Sequence, residues 1–168
     1  MSYAEHQEIA AVESPRCAVI TLSDTRTPET DTSGNLTRSL LAGHGFAVVA
    51  SHLLRDEAGD LKSALDALLA RDDVDAILTN GGTGIAKRDA TIGVVERAIE
   101  TPLPGFGELF RMLSWEQVGS GAMLSRAAAG IARGKLVFAM PGSPKAVELA
   151  MTRLVLPELK HLVNQLRK

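Results

Sequence analysis

The segment from Ala76 to Asp89, AILTNGGTGIAKRD, narrows the choice of fold more than any other part of the chain. A short apolar run ends in Thr79-Asn80, breaks into Gly81-Gly82-Thr83-Gly84, and is followed by Lys87, Arg88 and Asp89. Glycine adopts positive φ and lets a backbone approach a ligand with no Cβ in the way. A strand that feeds such a loop and then a helix exposes unpaired N–H groups at the positive end of the helix dipole, a setting suited to a phosphate. The bland alternative is a tight turn. The loop lacks the closing Gly-Lys-Ser/Thr of a Walker A motif and does not match the dinucleotide fingerprint.

The rest of the chain reads as strands alternating with helices. Arg16–Ser23 is a buried strand rich in β-branched residues, and Ser23–Gly34 is a long polar loop. Leu36, Leu40 and Leu41 predict a helix over Asn35–His44, stopped by Gly43 and Gly45. Strands follow at Phe46–Leu53, Val74–Thr79 and Leu136–Met140. An amphipathic helix over Asp60–Arg71 buries Leu61, Leu65, Leu68 and Leu69. Thr91–Ile99 is helical and ends before Pro102 and Pro104. Pro104-Gly105-Phe106-Gly107-Glu108 reads as a compact turn, with a further helix over Gly107–Leu113. Leu124–Ile131 suits either helix or strand. Ser143 is a good N-cap for a last helix that runs to about Leu166 and is kinked or divided at Pro157. Such alternation implies a mostly parallel sheet covered on both faces. Residues 1–15 form a loose arm, and 16–168 one α/β domain.

At 168 residues the chain can bury a core without metals or disulfides. A net charge of -2 argues against nucleic-acid or anionic-membrane partners, which favour basic patches. Cys17, the one cysteine, sits in an apolar run and reads as a small core residue. No signal peptide or membrane-spanning run is visible, so a cytoplasmic location is expected.

In open α/β sheets, ligands bind at the carboxyl ends of the strands. Four polar segments fall there: Ser23-Asp24-Thr25-Arg26, Arg55-Asp56-Glu57, Gly81–Asp89, and Pro141-Gly142-Ser143-Pro144-Lys145. Asp24 is a turn cap or a site acid. Asp56 is a solvated acid, a helix cap or a metal ligand, and Asp89 a cap or a metal ligand. An acid beside a phosphate loop is awkward unless a divalent cation bridges them, and Mg²⁺ is usually held by one or two carboxylates plus substrate phosphates. Asp56 and Asp89, placed at adjacent strand ends, are the preferred pair. Lys87, Arg88 and Lys145 are candidate charge neutralisers. Glu108 and Arg126 lie in charged turns that serve either the site or surface ion pairs. The histidines show no metal-ligand spacing.

Together these motifs resemble the molybdenum cofactor biosynthesis protein B family and the related molybdopterin adenylyltransferases. The resemblance covers roughly residues 16–163. It rests on Ser23–Arg26, Asp31-Thr32-Ser33-Gly34, Thr79–Gly84 with Arg88–Thr91, Pro104–Glu108, Ser125-Arg126, and Ala139–Lys145. It implies a three-layer α/β/α fold with a mostly parallel central sheet, and a trimer that can pair into a hexamer. It also implies Mg²⁺- and ATP-dependent adenylylation of molybdopterin with release of pyrophosphate. A non-catalytic molybdopterin- or nucleotide-binding protein of the same pathway is the alternative. By resemblance, Asp56 and Asp89 are essential acids serving Mg²⁺ and nucleotide. The substrate- and phosphate-binding positions are Ser23, Asp24, Thr79, Gly81, Gly82, Thr83, Gly84, Arg88, Glu108, Ser125, Arg126, Pro141, Gly142, Ser143 and Lys145. After Thr91 the chain has Ile92-Gly93 where relatives generally carry Pro-Glu. Glycine in a helix costs about 1 kcal/mol against Ala, so a looser or shifted helix start is expected. The Phe106–Trp115 segment, with Phe110, Met112 and Trp115, is the candidate subunit interface, although Phe110 also suits the core.

Overall fold

The first apolar run sets the layering. β1 (Arg16–Leu22) sends Cys17 and Val19 into one hydrophobic cluster and Ala18, Ile20 and Leu22 into another, because successive strand residues face opposite sides. A strand buried on both faces needs helices on both. The computed structural model, which describes residues 14–86 and 91–168, supplies them. The other elements are α1 (Thr32–Gly43), β2 (Ala47–Leu54), α2 (Ala58–Leu69), β3 (Ala76–Asn80), α3 (Thr91–Ala98) and β4 (Thr101–Pro102). Then come α4 (Pro104–Val118), a 3-10 segment (Gly119–Leu124), β5 (Ala128–Ala132), β6 (Lys135–Met140), α5 (Pro144–Ala150), a π-helical turn (Met151–Val155) and α6 (Leu156–Leu166).

The strands form one sheet in the order β2-β1-β3-β6-β5-β4. The first four are parallel, and β5 runs antiparallel to both its neighbours. Helices α1, α4, α5 and α6 cover one face around Phe106, Phe110, Phe138 and Met151. Helices α2 and α3 cover the other through Leu61, Leu65, Val94 and Val95. The result is the expected three-layer α/β/α arrangement. The expected N-terminal arm lies mostly outside the described residues. No helix among those described is long and apolar enough to cross a membrane.

Several expectations are corrected. α1 starts at Thr32 rather than Asn35, because Asp31 caps it through the Gly34 N–H at 2.9 Å. Pro104 opens a helix instead of following one. Its missing N–H costs nothing in a first turn, so the supposed Pro104–Glu108 turn is the start of the 15-residue α4. Of the two roles left open for Phe110, the structure shows the core one: it is 2% exposed.

The open stretch before Ile131 contains β5. Its small residues are required, since a Cβ on Gly130 would come within 2.3 Å of the Ile99 side chain. β5 turns into β6 through Arg133 and Gly134, both at positive φ (47° and 72°), as a two-residue hairpin demands. Pro157 divides the last helix as expected, with the π-helical turn just before it. The helix after the glycine loop starts at Thr91 despite Gly93, and Ile92 is 1% exposed in the core.

At the amino end of the sheet, Asp75 clamps the two ends of the domain. Its carboxylate accepts from the Arg16 N–H at 2.8 Å and Nε at 3.0 Å, and pairs with Arg167 at 2.9 Å. Burial pushes the Asp75 carboxyl up, but the hydrogen bonds from Arg16 and Arg167 outweigh it and hold the group at about 2. The Cys17 thiol is pushed up to about 12, first by burial and then by the Asp75 charge, and is therefore inert as a nucleophile.

A folded-state value below the ordinary 3.8 means the Asp75 anion stabilises the fold above that value, and the contribution is lost as pH falls toward about 2. Asp75→Asn should therefore lower stability by roughly 1–2 kcal/mol near neutral pH. In urea titrations across the acid range, the gap to the parent should close between about pH 4 and pH 2.

Candidate active site

At the carboxyl end of the sheet a buried polar network joins β1, α1 and β3. Asp31 is 2% exposed and accepts from Thr21 Oγ1 at 3.0 Å as well as from the Gly34 N–H. Ser33 Oγ donates to Asn80 Oδ1 at 2.8 Å, and Asn80 Nδ2 donates to Thr21 Oγ1 at 3.2 Å. The Arg26 guanidinium contacts Ser33 Oγ, lies 3.7 Å from the Asp31 carboxylate, and donates to the Gly142 carbonyl at 3.0 Å. Ser23 Oγ accepts from the N–H groups of Thr25 and Arg26, which turns Arg26 toward the sheet.

Two glycine turns meet above this network. The Gly81 N–H donates to the Met140 carbonyl at 3.0 Å, and a Cβ on Gly142 would sit 3.1 Å from Gly81 Cα. β3 and β6 are neighbours, so the Gly81–Gly84 and Pro141–Lys145 segments leave the sheet side by side. Ser143 caps α5 by accepting from the Ala146 N–H at 3.2 Å.

Asp56 reaches the glycine loop from the end of β2. This overturns the expectation of adjacent strand ends for the acids' strands, since β1 lies between β2 and β3. Asp56 Oδ1 nonetheless accepts from Thr91 Oγ1 at 3.0 Å, and the Asp56 N–H donates to Asp24 Oδ1 at 3.1 Å. Thr91 Oγ1 also lies 2.9 Å from the Gly82 carbonyl. Asp56 does not cap α2, whose N-cap is Glu57. Lys87, Arg88 and Asp89 lie outside the described residues.

The remaining predicted residues fall into separate groups. Thr79 and Thr83 are buried at 1% and 5% exposure. Ser125, Arg126 and the exposed Glu108 line a cavity of about 530 Å³ with Arg111. Pro141, Ser143 and Lys145 line another of about 830 Å³, shared with Ser125, Phe110, Thr152 and Arg153. Neither cavity includes the Gly81–Gly84 loop, but the Arg126 guanidinium donates to the Gly84 carbonyl and ties the loop to the first.

The sequence reading left Arg26, Asp31, Ser33, Asn80 and Thr91 out of the site. Arg26 and Asn80 lay in segments already placed at the strand ends and the others in motifs that carry the family resemblance, but none carries a signal for long-range contact by itself. Among the described residues no group of three or more His, Cys, Asp and Glu side chains forms a metal cage. The Asp24 carboxylate reaches only the backbone of Asp56, through its N–H.

The loops at the carboxyl end of this mostly parallel sheet thus form one connected polar site, and the comparisons give the class of protein that carries it. The model of the family described as "Probable molybdopterin binding domain" matches residues 18–161. Molybdenum cofactor biosynthesis protein B of Halalkalibacterium halodurans is 47% identical over 169 residues, spanning 100% of this chain and 99% of its own. The protein of the same name from Bacillus anthracis is 49% identical with the same coverage.

A crystal structure of a molybdenum cofactor biosynthesis protein B superposes with a TM-score of 0.89 at 49% identity, covering 92% of this chain and 97% of that one. The tungsten cofactor synthesizing protein MoaB from Pyrococcus furiosus gives 0.83 at 32%, covering 94% and 100%. The chain belongs to the molybdenum cofactor biosynthesis protein B family, and its role is in molybdenum cofactor biosynthesis.

The buried network makes the site dependent on Asp31. Asp31→Ala removes a helix cap and strands Thr21 and two nearby cations, Arg26 and Arg38. The expected loss is roughly 2–4 kcal/mol, read as a fall in the urea midpoint at unchanged slope.

Proposed function

We propose that the protein binds molybdopterin and ATP and transfers an adenylyl group to the pterin's terminal phosphate. The observation that carries this reading is the meeting of Asp56, Gly82 and Thr91 beside the Gly81–Gly142 contact. An acid, a glycine loop and a second glycine turn thus share one end of the sheet. In the reaction a phosphate oxygen of the pterin bonds to the α-phosphorus of ATP. The bond from that phosphorus to the bridging oxygen of the β-phosphate breaks, and pyrophosphate leaves with the electron pair.

Two anions must be brought together, so positioning and charge neutralisation supply most of the rate. Main-chain donors of Gly82–Gly84 and Ser143 hold phosphate oxygens, while Lys87, Arg88 and Lys145 offset their charge. Asp56 and Asp89 are the carboxylates that would hold Mg²⁺, and Asp24 accepts from the Asp56 N–H. The ion would supply charge stabilisation on the phosphates. Arg126 fixes the end of the loop through Gly84, and Ser125 and Glu108 line the adjoining cavity.

Given molybdopterin, ATP and Mg²⁺, the protein should form the AMP ester and release pyrophosphate. Asp56→Asn and Asp89→Asn should each lose at least about 100-fold in turnover with pterin still bound. A parent protein that binds pterin but releases no pyrophosphate would instead be a carrier.

Assembly follows from the exposed apolar face of α4 and the 3-10 segment. Met112, Trp115, Val118 and Met123 are 60%, 62%, 61% and 78% exposed. A patch of this kind marks an interaction surface, and the family resemblance makes a trimer its natural product. Light scattering should give a trimer or a hexamer for the parent and a smaller species for Trp115→Glu.

A further inference from the structure

Thr91 is fully buried, yet its hydroxyl lies between two groups of the site. Oγ1 is 3.0 Å from Asp56 Oδ1 and 2.9 Å from the Gly82 carbonyl. The same carbonyl accepts from the Ile92 N–H at 3.3 Å. Gly82 has φ +65°, and a Cβ placed on it would sit 1.6 Å from Thr91 Oγ1 and 2.8 Å from Asp56 Oδ1. The threonine hydroxyl and the acid oxygen thus occupy the space a side chain at position 82 would need. Three segments close on one another here: the loop after β2, the loop after β3, and the first turn of α3.

We propose that Thr91 is a positioning residue that holds the Asp56 carboxylate for a divalent cation and its nucleotide. An aspartate on a loop swings about its Cα–Cβ and Cβ–Cγ bonds, and arresting that motion when ligand binds costs affinity. A buried hydroxyl bonded to Oδ1 arrests it beforehand. Mg²⁺ demands near-ideal octahedral geometry, so a carboxylate already fixed in direction is worth more to it than a mobile one. The second contact of Thr91, to the Gly82 carbonyl, sets the acid relative to the loop that carries the phosphate donors. The hydroxyl neither touches substrate nor exchanges a proton with it, and acts only through Asp56 and the loop.

This inference rests on the reading that Asp56 serves a cation–nucleotide pair, and the test separates the two. Binding of Mg²⁺ with α,β-methylene ATP, which cannot be cleaved at the α-phosphorus, is measured by calorimetry on the full chain. The variants are Thr91→Val, which keeps shape and loses the hydroxyl, and Thr91→Ser, which keeps the hydroxyl. Thr91→Val should weaken Mg²⁺-dependent binding about 10-fold, with pterin affinity unchanged. Thr91→Ser should restore it to within about threefold of the parent. In an Asp56→Asn background the valine substitution should lose most of its effect, because that effect passes mainly through the carboxylate.

Parent-like binding by Thr91→Val overturns the proposal, as does an undiminished valine effect in the Asp56→Asn background. If Thr91→Val fails to fold, Thr91→Ser alone decides: binding weakened as much as by Asp56→Asn overturns it. A parent that binds the Mg²⁺–analogue pair but never releases pyrophosphate from ATP refutes adenylylation while the Thr91 comparison stands. A parent that binds no such pair overturns both.

Discussion

Asp31 is the interaction on which the rest of the site depends. A carboxylate that is 2% exposed survives in a protein interior only when donors surround it. Here they come from β1 through Thr21, from α1 through the Gly34 N–H, and from the approach of Arg26 and Arg38. The same side chain therefore starts a helix, binds that helix to the central strand, and anchors an arginine. That arginine reaches the Gly142 carbonyl in the loop after β6.

At the carboxyl end of the sheet, side chains capture backbone carbonyls of the loops and so set the direction of the backbone. Arg26 turns the Gly142 carbonyl toward itself, and in a trans peptide the Ser143 N–H must then point the opposite way. Ile92 takes the Gly82 carbonyl in the same manner, and Arg126 takes that of Gly84. Each captured carbonyl fixes the direction of the following N–H. Donors set in advance lose little freedom when an anion arrives, which is where such a site gains its affinity.

Much of this was legible in the residues, and the failures have definite causes. β1, β3 and β6 are continuous apolar runs because both faces of the sheet are covered, and the periodicity places them within a residue or two. β5 stayed undecided between helix and strand because its signal is small size: Gly130 leaves room for Ile99, which no hydrophobic pattern encodes. Pro104 was misplaced because proline suits both the end of one helix and the first turn of the next. In the site, the glycine turns were visible as composition. The side chains that orient them were not, since Arg26 to Gly142 and Asp56 to Thr91 are contacts across 116 and 35 residues. Ser, Thr and Asp in a polar loop look the same whether they cap a turn or organise a site.

The departure at Ile92-Gly93 shows how one end of the site tolerates change. Where the family resemblance leads one to expect proline to begin the helix, this chain holds the start by other means. Ile92 is 1% exposed in the cluster beneath α3, and its N–H bonds the Gly82 carbonyl. Gly93 leaves room for the Arg97 guanidinium, which would lie 3.3 Å from a Cβ at that position. The roughly 1 kcal/mol that glycine costs in a helix is therefore set against a buried side chain and a loop hydrogen bond at the preceding residue. Because both of those contacts also steady Thr91, the substitution leaves intact the part of the helix that meets Asp56.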